Sequence, residues 1–328
     1  MSKCHFNYND GDAIGHIKKT SKILYIKRND KSSNSNCTMC NGRSKSGCPQ
    51  CSHNMDNVMD GEMIENLIKS HIKNLKERIS FRQIQKLEEA LINQEPPEND
   101  HLRKLYDIAN LQMEENKDKE VLIKNGEIEP IINPNVERQV FYISGMSGSG
   151  KSTYVNKIIN SYNKFFKSHK IYLFSNKEFD ESYTNKNIIR MSLNDELIED
   201  PITLEEIKDS MVIFDDIEGV PNKKIMNELD RLRDVILQQG RSYHVWFCYV
   251  SHLANNYKQT RTILNECHSI TIFPAMTTTY SLKYLLEKYF GFSKDDIKKL
   301  LNLNSRWVTI FKMPCIFVMH EDGAYIVN

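Results

Sequence analysis

The chain has 328 residues, 40% of them hydrophobic and 27% charged, enough for one large domain or two ordinary ones with a substantial core. Its 44 Lys and Arg nearly balance 43 Asp and Glu, so no global basic field advertises nucleic acid, and any such contact must be local. There is no run of about eighteen apolar residues, which predicts no membrane partner, and the polar start "MSKCHFNYNDGD" does not read as a signal peptide.

Residues 1–55 read as a basic segment, short on apolar periodicity, in which nine Lys and Arg face three Asp over residues 1–53. It carries "CTMCNGRSKSGCPQC". Cys37 and Cys40, then Cys48 and Cys51, form two C-x-x-C pairs seven residues apart. Each pair presents two thiolates to one ion, and together they complete the tetrahedron of a Zn²⁺ knuckle. Gly42 and Gly47 let so short a loop fold back. In a segment without a core the metal supplies the fold, roughly 10–16 kcal/mol in finger peptides. Two disulfides, or His53 replacing one thiolate, are the competing readings. The crowding of Lys27, Arg28, Lys31, Arg43 and Lys45 leaves three roles open: phosphate contact, protein docking or a structural staple. Cys4, Cys248, Cys267 and Cys315 are scattered, which fits reduced thiols in a reducing compartment.

Residues 56–124 read as a helical hairpin. Ile64, Ile68, Ile72, Leu75 and Ile79, then Ile84, Leu87 and Leu91, recur at helical spacing. "NQEPPEND" interrupts this pattern, because two prolines cannot continue a helix, and a second helix follows over roughly 100–124. The hairpin reads as a spacer or oligomer contact, or as a recognition element. Residues 125–137, with Pro130 and Pro134, read as a linker.

Residues 138–328 form the third region, an α/β domain. Strands are predicted at 140–144, 170–174, 187–191, 211–216, 244–250 and 269–273, with helical segments between most of them. Such alternation argues for a mainly parallel sheet flanked by helices. Residues 280–303 read as two amphipathic helices broken at Gly291. "WVTIF", "CIFVM" and "AYIV" then predict a β-meander or an extension of the main sheet.

Gly145-Met-Ser-Gly-Ser-Gly150-Lys151-Ser152 matches the P-loop pattern and sits between a predicted strand and a predicted helix. Backbone N–H groups of such a loop curl around a phosphate, aided by the helix N-terminus. The predicted nucleotide contacts are Gly145, Ser147, Gly148, Ser149, Gly150, Lys151, Ser152 and Thr153. Lys151 is expected at the β- and γ-phosphates of ATP, and Ser152 on Mg²⁺. "MVIFDD" is a buried strand ending in two carboxylates: Asp215 is predicted to hold Mg²⁺ and Asp216 to activate the attacking water. At the end of the next strand, His252 or Ser251 is placed to sense the γ-phosphate. Arg241 and Arg261 are candidates to reach the nucleotide, in cis or from a neighbouring subunit.

The order "GMSGSGKSTY", "KIYLFS", "MVIFDDIE", "QQGRSYHVWFCYVSHL", "TRTILNECHSITIF" resembles the poxvirus-type genome-packaging ATPases of large DNA viruses, in the FtsK–HerA branch of P-loop NTPases. The resemblance covers roughly residues 138–275. It implies a RecA-like sheet and supports Lys151, Ser152, Asp215 and Asp216 directly, with Arg241 and Arg261 as further candidates. It departs at the sensor strand, where the family usually has Gln and this chain has His252 after Ser251. The leading expectation is therefore an ATP-driven motor that packages viral double-stranded DNA as a homo-oligomer, with capsid or other packaging proteins as partners. Its location would be the host cytoplasm or the virion. A nucleoside or polynucleotide kinase, with "NELDRLRDVILQQGR" as an arginine-bearing lid, is the second expectation. A zinc scaffold that binds nucleotide without significant turnover is the third.

Overall fold

The computed structural model describes residues 3–29, 80–93, 95–116, 119–123, 127–177, 180–183, 185–252, 260–277 and 279–327. The four cysteines predicted to bind zinc, His53, and the first half of the predicted helical hairpin lie outside the described residues. In chain order the strands are β1 (Lys3–Asn7), β2 (Asp12–Ile17), β3 (Ile23–Asn29), β4 (Glu120–Leu122) and β5 (Ile128–Pro130). They continue with β6 (Val140–Ser144), β7 (Lys170–Ser175), β8 (Ile188–Met191), β9 (Ser210–Asp215) and β10 (Trp246–Ser251). The last four are β11 (Ser269–Ile272), β12 (Val308–Phe311), β13 (Phe317–His320) and β14 (Gly323–Ile326).

Two compact units emerge. One comprises Met1–Asn7 with Arg28–Leu122, the other Tyr8–Lys27 with Ile123–Asn328. In the first unit, helices Phe81–Asn93 and Asp100–Asn116 pack on each other, and Leu87, Leu91, Leu102, Leu105, Tyr106 and Ala109 are buried. The break between them falls at the two prolines, as their missing N–H groups require.

The second unit holds the main sheet, in the order β14-β13-β12-β11-β6-β10-β9-β7-β8. From β11 to β8 neighbouring strands run parallel, and β11 to β14 form an antiparallel meander that extends the same sheet. Every residue of β6, β9, β10 and β11 is buried. This explains their continuous apolar runs: a parallel strand covered on both faces has no solvent side to alternate toward. Helix Lys223–Gln239 buries Leu229, Leu232 and Ile236 in the core cluster beside Phe214 and Phe247.

Three segments differ from expectation. The second helix of the hairpin, read to about residue 124, ends at Asn116, and Glu120–Leu122 form β4. Residues 12–26, read as part of a basic segment, form an antiparallel β2–β3 pair that turns through Lys19 at positive φ. Residues 128–130, read as linker, form β5 on the other side of β2, with Gly15 opposite Pro130. Nearby, the Asn133 side chain donates to Asp12 at 2.7 Å and Ile132 is fully buried. The prolines at 130 and 134 suggested a loop, but a strand as short as β5 tolerates Pro130 at its end.

Candidate active site

Strand β6 delivers the P-loop at its carboxyl end. The Gly145 N–H donates to the Ser251 carbonyl at 3.2 Å, tying the loop's first residue to the end of β10. Gly148 and Gly150 take φ values of 76° and 104°, the left-handed region that glycine adopts without strain. Gly145 is required for a different reason. A Cβ there would lie 2.7 Å from Ser149 Oγ and 2.8 Å from the ring of Phe273. Helix Lys151–Phe165 starts immediately after Gly150 and aims its free N–H groups into the loop. Ser147 and Thr153 are exposed and Ser152 is half-buried.

Lys151 is buried and folded back on its own loop. Its ammonium donates to the carbonyls of Gly145 (2.7 Å) and Met146 (3.2 Å), and lies 3.4 Å from Nδ1 of His252. Burial lowers its pKa, opposed by the charges of Asp216 and Asp215.

Asp215 ends β9, in register with Val250 of β10 and Ser175 of β7. It is almost wholly buried, and its Oδ2 has no hydrogen-bond partner among the described residues. Burial first, and the neighbouring charge of Asp216 second, push its pKa up to about 6. Asp216 follows in a left-handed conformation with φ 53°. Its Oδ1 lies 2.8 Å from His252 Nε2, and its Oδ2 lies 3.3 Å from Lys177 Nζ.

The strand order explains the grouping. β10 lies between β6 and β9, so His252, just past the end of β10, falls between Lys151 and Asp216. Of the two sensor candidates the structure brings His252 to the cluster; Ser251 is buried in the strand itself.

The arginines behave differently. Arg241 pairs with Glu137, one residue before Arg138, and so sits at the amino-terminal edge of the parallel strands. Roughly 15 Å of β6 separates that edge from the P-loop, which rules out the reading of Arg241 as a contact to the nucleotide of its own chain. Arg261 is exposed at the start of helix Arg261–Glu266. The arginines of the predicted kinase lid are engaged elsewhere. Arg233 is buried against Asp230 and Asp234, and Arg231 pairs with Glu228 and donates to the Ile202 carbonyl. That helix is a packed element of the core, not a lid.

Three residues at the site escaped the sequence reading: Lys177, Tyr183 and Phe273. Lys177 stands two residues beyond β7. Tyr183 places its buried hydroxyl in electrostatic contact with Asp215, and burial raises its pKa strongly. Phe273 follows β11 and backs the P-loop glycines. Lys177 and Phe273 lie just past strand ends and Tyr183 in the loop between β7 and β8, so only the order of strands in the sheet could have located them.

A family model described as an AAA domain matches residues 137–293. The protein V3 of Sputnik virophage is 38% identical over 207 residues, spanning 62% of this chain and 83% of the virophage protein. The chain belongs to the family of this virophage protein. It is a P-loop ATPase. Among solved structures, the DNA-packaging ATPase B204 of Sulfolobus turreted icosahedral virus shares 16% identity at a TM-score of 0.40, over 57% of this chain and 98% of that one. The genome packaging NTPase B204 of Sulfolobus turreted icosahedral virus 2, in complex with AMPPCP, shares 14% at 0.38, over 58% and 100%. Among the described residues no helix is long and apolar enough to cross a membrane, and no cluster of three or more His, Cys, Asp or Glu is arranged to hold a metal.

Proposed function

We propose that this ATPase uses hydrolysis to move viral double-stranded DNA during genome packaging, working as an oligomer. The observation that carries the reading is the line of Lys151, His252 and Asp216 across the ends of adjacent strands, with Asp215 beside it. This arrangement suits turnover rather than mere nucleotide retention, because a carboxylate capable of orienting water is coupled to the phosphate-binding lysine.

The residues fit Mg²⁺. Asp215 presents a buried oxygen without a hydrogen-bond partner among the described residues, and Ser152 is the second residue of the P-loop helix. A P-loop magnesium site takes most of its ligands from phosphate and water, so a protein cage of three or more ligands is not needed. Bound there, Mg²⁺ would offset the charge of the phosphate oxygens. Lys151 turns from the loop carbonyls to the β- and γ-phosphates when ATP arrives. Asp216 orients the attacking water and accepts its proton. His252 registers the γ-phosphate through its position between the two. An arginine from a neighbouring subunit, Arg261 in this reading, completes the charge.

Kinship with a virophage protein and the motif order support a role in a viral genome motor. The cysteine spacing supports a zinc knuckle that recruits DNA or packaging proteins, in the host cytoplasm or the virion. The decisive experiment is phosphate release from ATP by zinc-replete protein, with and without long double-stranded DNA, beside Lys151→Ala. Stimulation by DNA that the variant lacks supports the motor. Turnover indifferent to DNA, with labelled phosphate transferred to nucleosides or DNA ends, would replace it with a kinase.

A further inference from the structure

Strands β6, β10, β9 and β7 are consecutive in the sheet and end at one edge. A line of side chains crosses those ends: Lys151, His252, Asp216, Lys177 and Asp180, with successive separations of 3.4, 2.8, 3.3 and 3.6 Å. The P-loop, the carboxylate pair and the sensor strand account for the first three. They leave Lys177 without a role.

Asp216 sits past the end of β9 in a left-handed turn, so the strand does not dictate where its carboxylate points. Its side chain is only 12% exposed, and each oxygen faces one nitrogen: Oδ1 faces His252 and Oδ2 faces Lys177. Lys177 is itself anchored. Its carbonyl accepts from Arg190 Nη1 at 2.5 Å, its backbone N–H donates to Ser175 Oγ at 3.3 Å, and its ammonium lies beside Asp180. A half-exposed cation on an anchored stretch of backbone thus faces the oxygen that His252 leaves uncovered, and it opposes the like charge of Asp215 next door.

We propose that Lys177 is a positioning residue for ATP hydrolysis, holding the Asp216 carboxylate with its other oxygen toward His252 and the P-loop. This rests on the reading of Asp216 as the residue that orients water. In the line of contacts Asp216 stands between Lys177 and His252, so the effect of Lys177 is expected on the chemical step through Asp216 more than on nucleotide affinity.

The test compares Lys177→Ala, Lys177→Arg, Asp216→Asn and the double variant Lys177→Ala/Asp216→Asn in steady-state ATP hydrolysis, with binding of a fluorescent ATP analogue measured beside it. Lys177→Ala is expected to lower kcat about 10- to 100-fold, the scale of a misplaced catalytic group. KM and analogue affinity should stay within about twofold, because binding is not where Lys177 acts. Lys177→Arg should recover much of the loss. The double variant should be no slower than Asp216→Asn alone, since two residues acting as a unit are not additive.

Unchanged kcat in Lys177→Ala, a loss carried by KM and analogue affinity, or a double variant slower by the product of both effects would each overturn the assignment. The two readings fail separately. Full turnover in Asp216→Asn removes the role of Asp216 and this inference with it. The expected loss in Asp216→Asn beside an unaffected Lys177→Ala removes this inference alone.

Discussion

His252 Nε2 lies 2.8 Å from Asp216 Oδ1 while its Nδ1 lies 3.4 Å from the Lys151 ammonium, so one imidazole joins the P-loop lysine to the carboxylate proposed to orient water. His252→Ala removes both contacts at once and is expected to slow kcat by roughly 10²-fold, the cost of a displaced catalytic group. An amide of similar reach can donate to Asp216 and accept from Lys151. His252→Gln should therefore keep clearly more turnover than His252→Ala in steady-state assays. Equal losses in the two variants would mean that the ring itself, and not its pair of contacts, is needed.

Asp215 gives a pH dependence whose sign follows from burial. Its pKa in the folded chain is raised from 3.8 to about 6. Below its ordinary value the carboxyl is neutral in folded and unfolded chains alike. As pH rises from about 4 to about 6 the unfolded chain ionises this carboxyl freely while the folded protein must ionise a buried acid, and nucleotide-free stability falls by on the order of 3 kcal/mol. Asp215→Asn removes that cost. The variant should melt higher than the parent near neutral pH, show a flatter melting profile above about pH 4, and lose ATP turnover. A parent protein whose melting temperature does not fall between about pH 4 and pH 7 more steeply than the variant's would refute the account.

Gly145 is constrained by contact and not by φ. Gly145→Ala places a methyl group against Ser149 Oγ and the Phe273 ring. The serine can rotate, but the buried ring cannot, so the P-loop must shift at a cost of about 1–3 kcal/mol. Affinity for a fluorescent ATP analogue should fall by about tenfold or more, which 1.4 kcal/mol suffices to produce. Trimming the ring with Phe273→Leu in the same chain should return part of the affinity. Failure of the second change to help would place the strain elsewhere in the loop.

How much of this the sequence revealed depends on whether a feature is local. The strand at 140–144 and the P-loop helix were readable because glycines, lysine and apolar run stand side by side. Asp215 and Asp216 were readable because a fully buried strand announces its own end. Lys177 and Phe273 were not, since each owes its place to the sheet order, in which β10 separates β6 from β9 while β7 and β11 flank them. Arg241 as a contact to its own chain's nucleotide misled for the same reason: adjacent to a glycine in the sequence, it sits at the edge of the strands away from the P-loop. The β2–β3 pair was missed because two short strands joined by "KKTSK" look like a basic tail until β5 pairs with β2.

The four-cysteine segment makes a prediction that depends on spacing alone. Purified protein should carry a single zinc, measured by elemental analysis, and Cys37→Ser with Cys48→Ser should abolish it, because each removes one thiolate from its pair. Zinc-free protein with four reactive thiols, or with two disulfides after purification under reducing conditions, would refute the knuckle.

The arginines allow a test of assembly. Arg241 is exposed and paired with Glu137 at the edge away from the P-loop, so Arg241→Ala should change turnover less than about twofold, as for most surface substitutions. Arg261 is exposed and acts, in the proposed oligomer, on a neighbour's nucleotide. Arg261→Ala is expected to cost at least 10³-fold, the lower range for an arginine finger. Lys151→Ala should be inactive, since it would lack the proposed phosphate clamp, yet it still carries an intact Arg261. Mixing the two inactive proteins joins a sound P-loop on one subunit to a sound arginine on the next. Such mixtures should recover turnover that neither variant has alone, in proportion to the amount of mixed oligomer. Mixed oligomers that form, as shown by light scattering, yet stay inactive would mean that Arg261 serves its own chain's site or none.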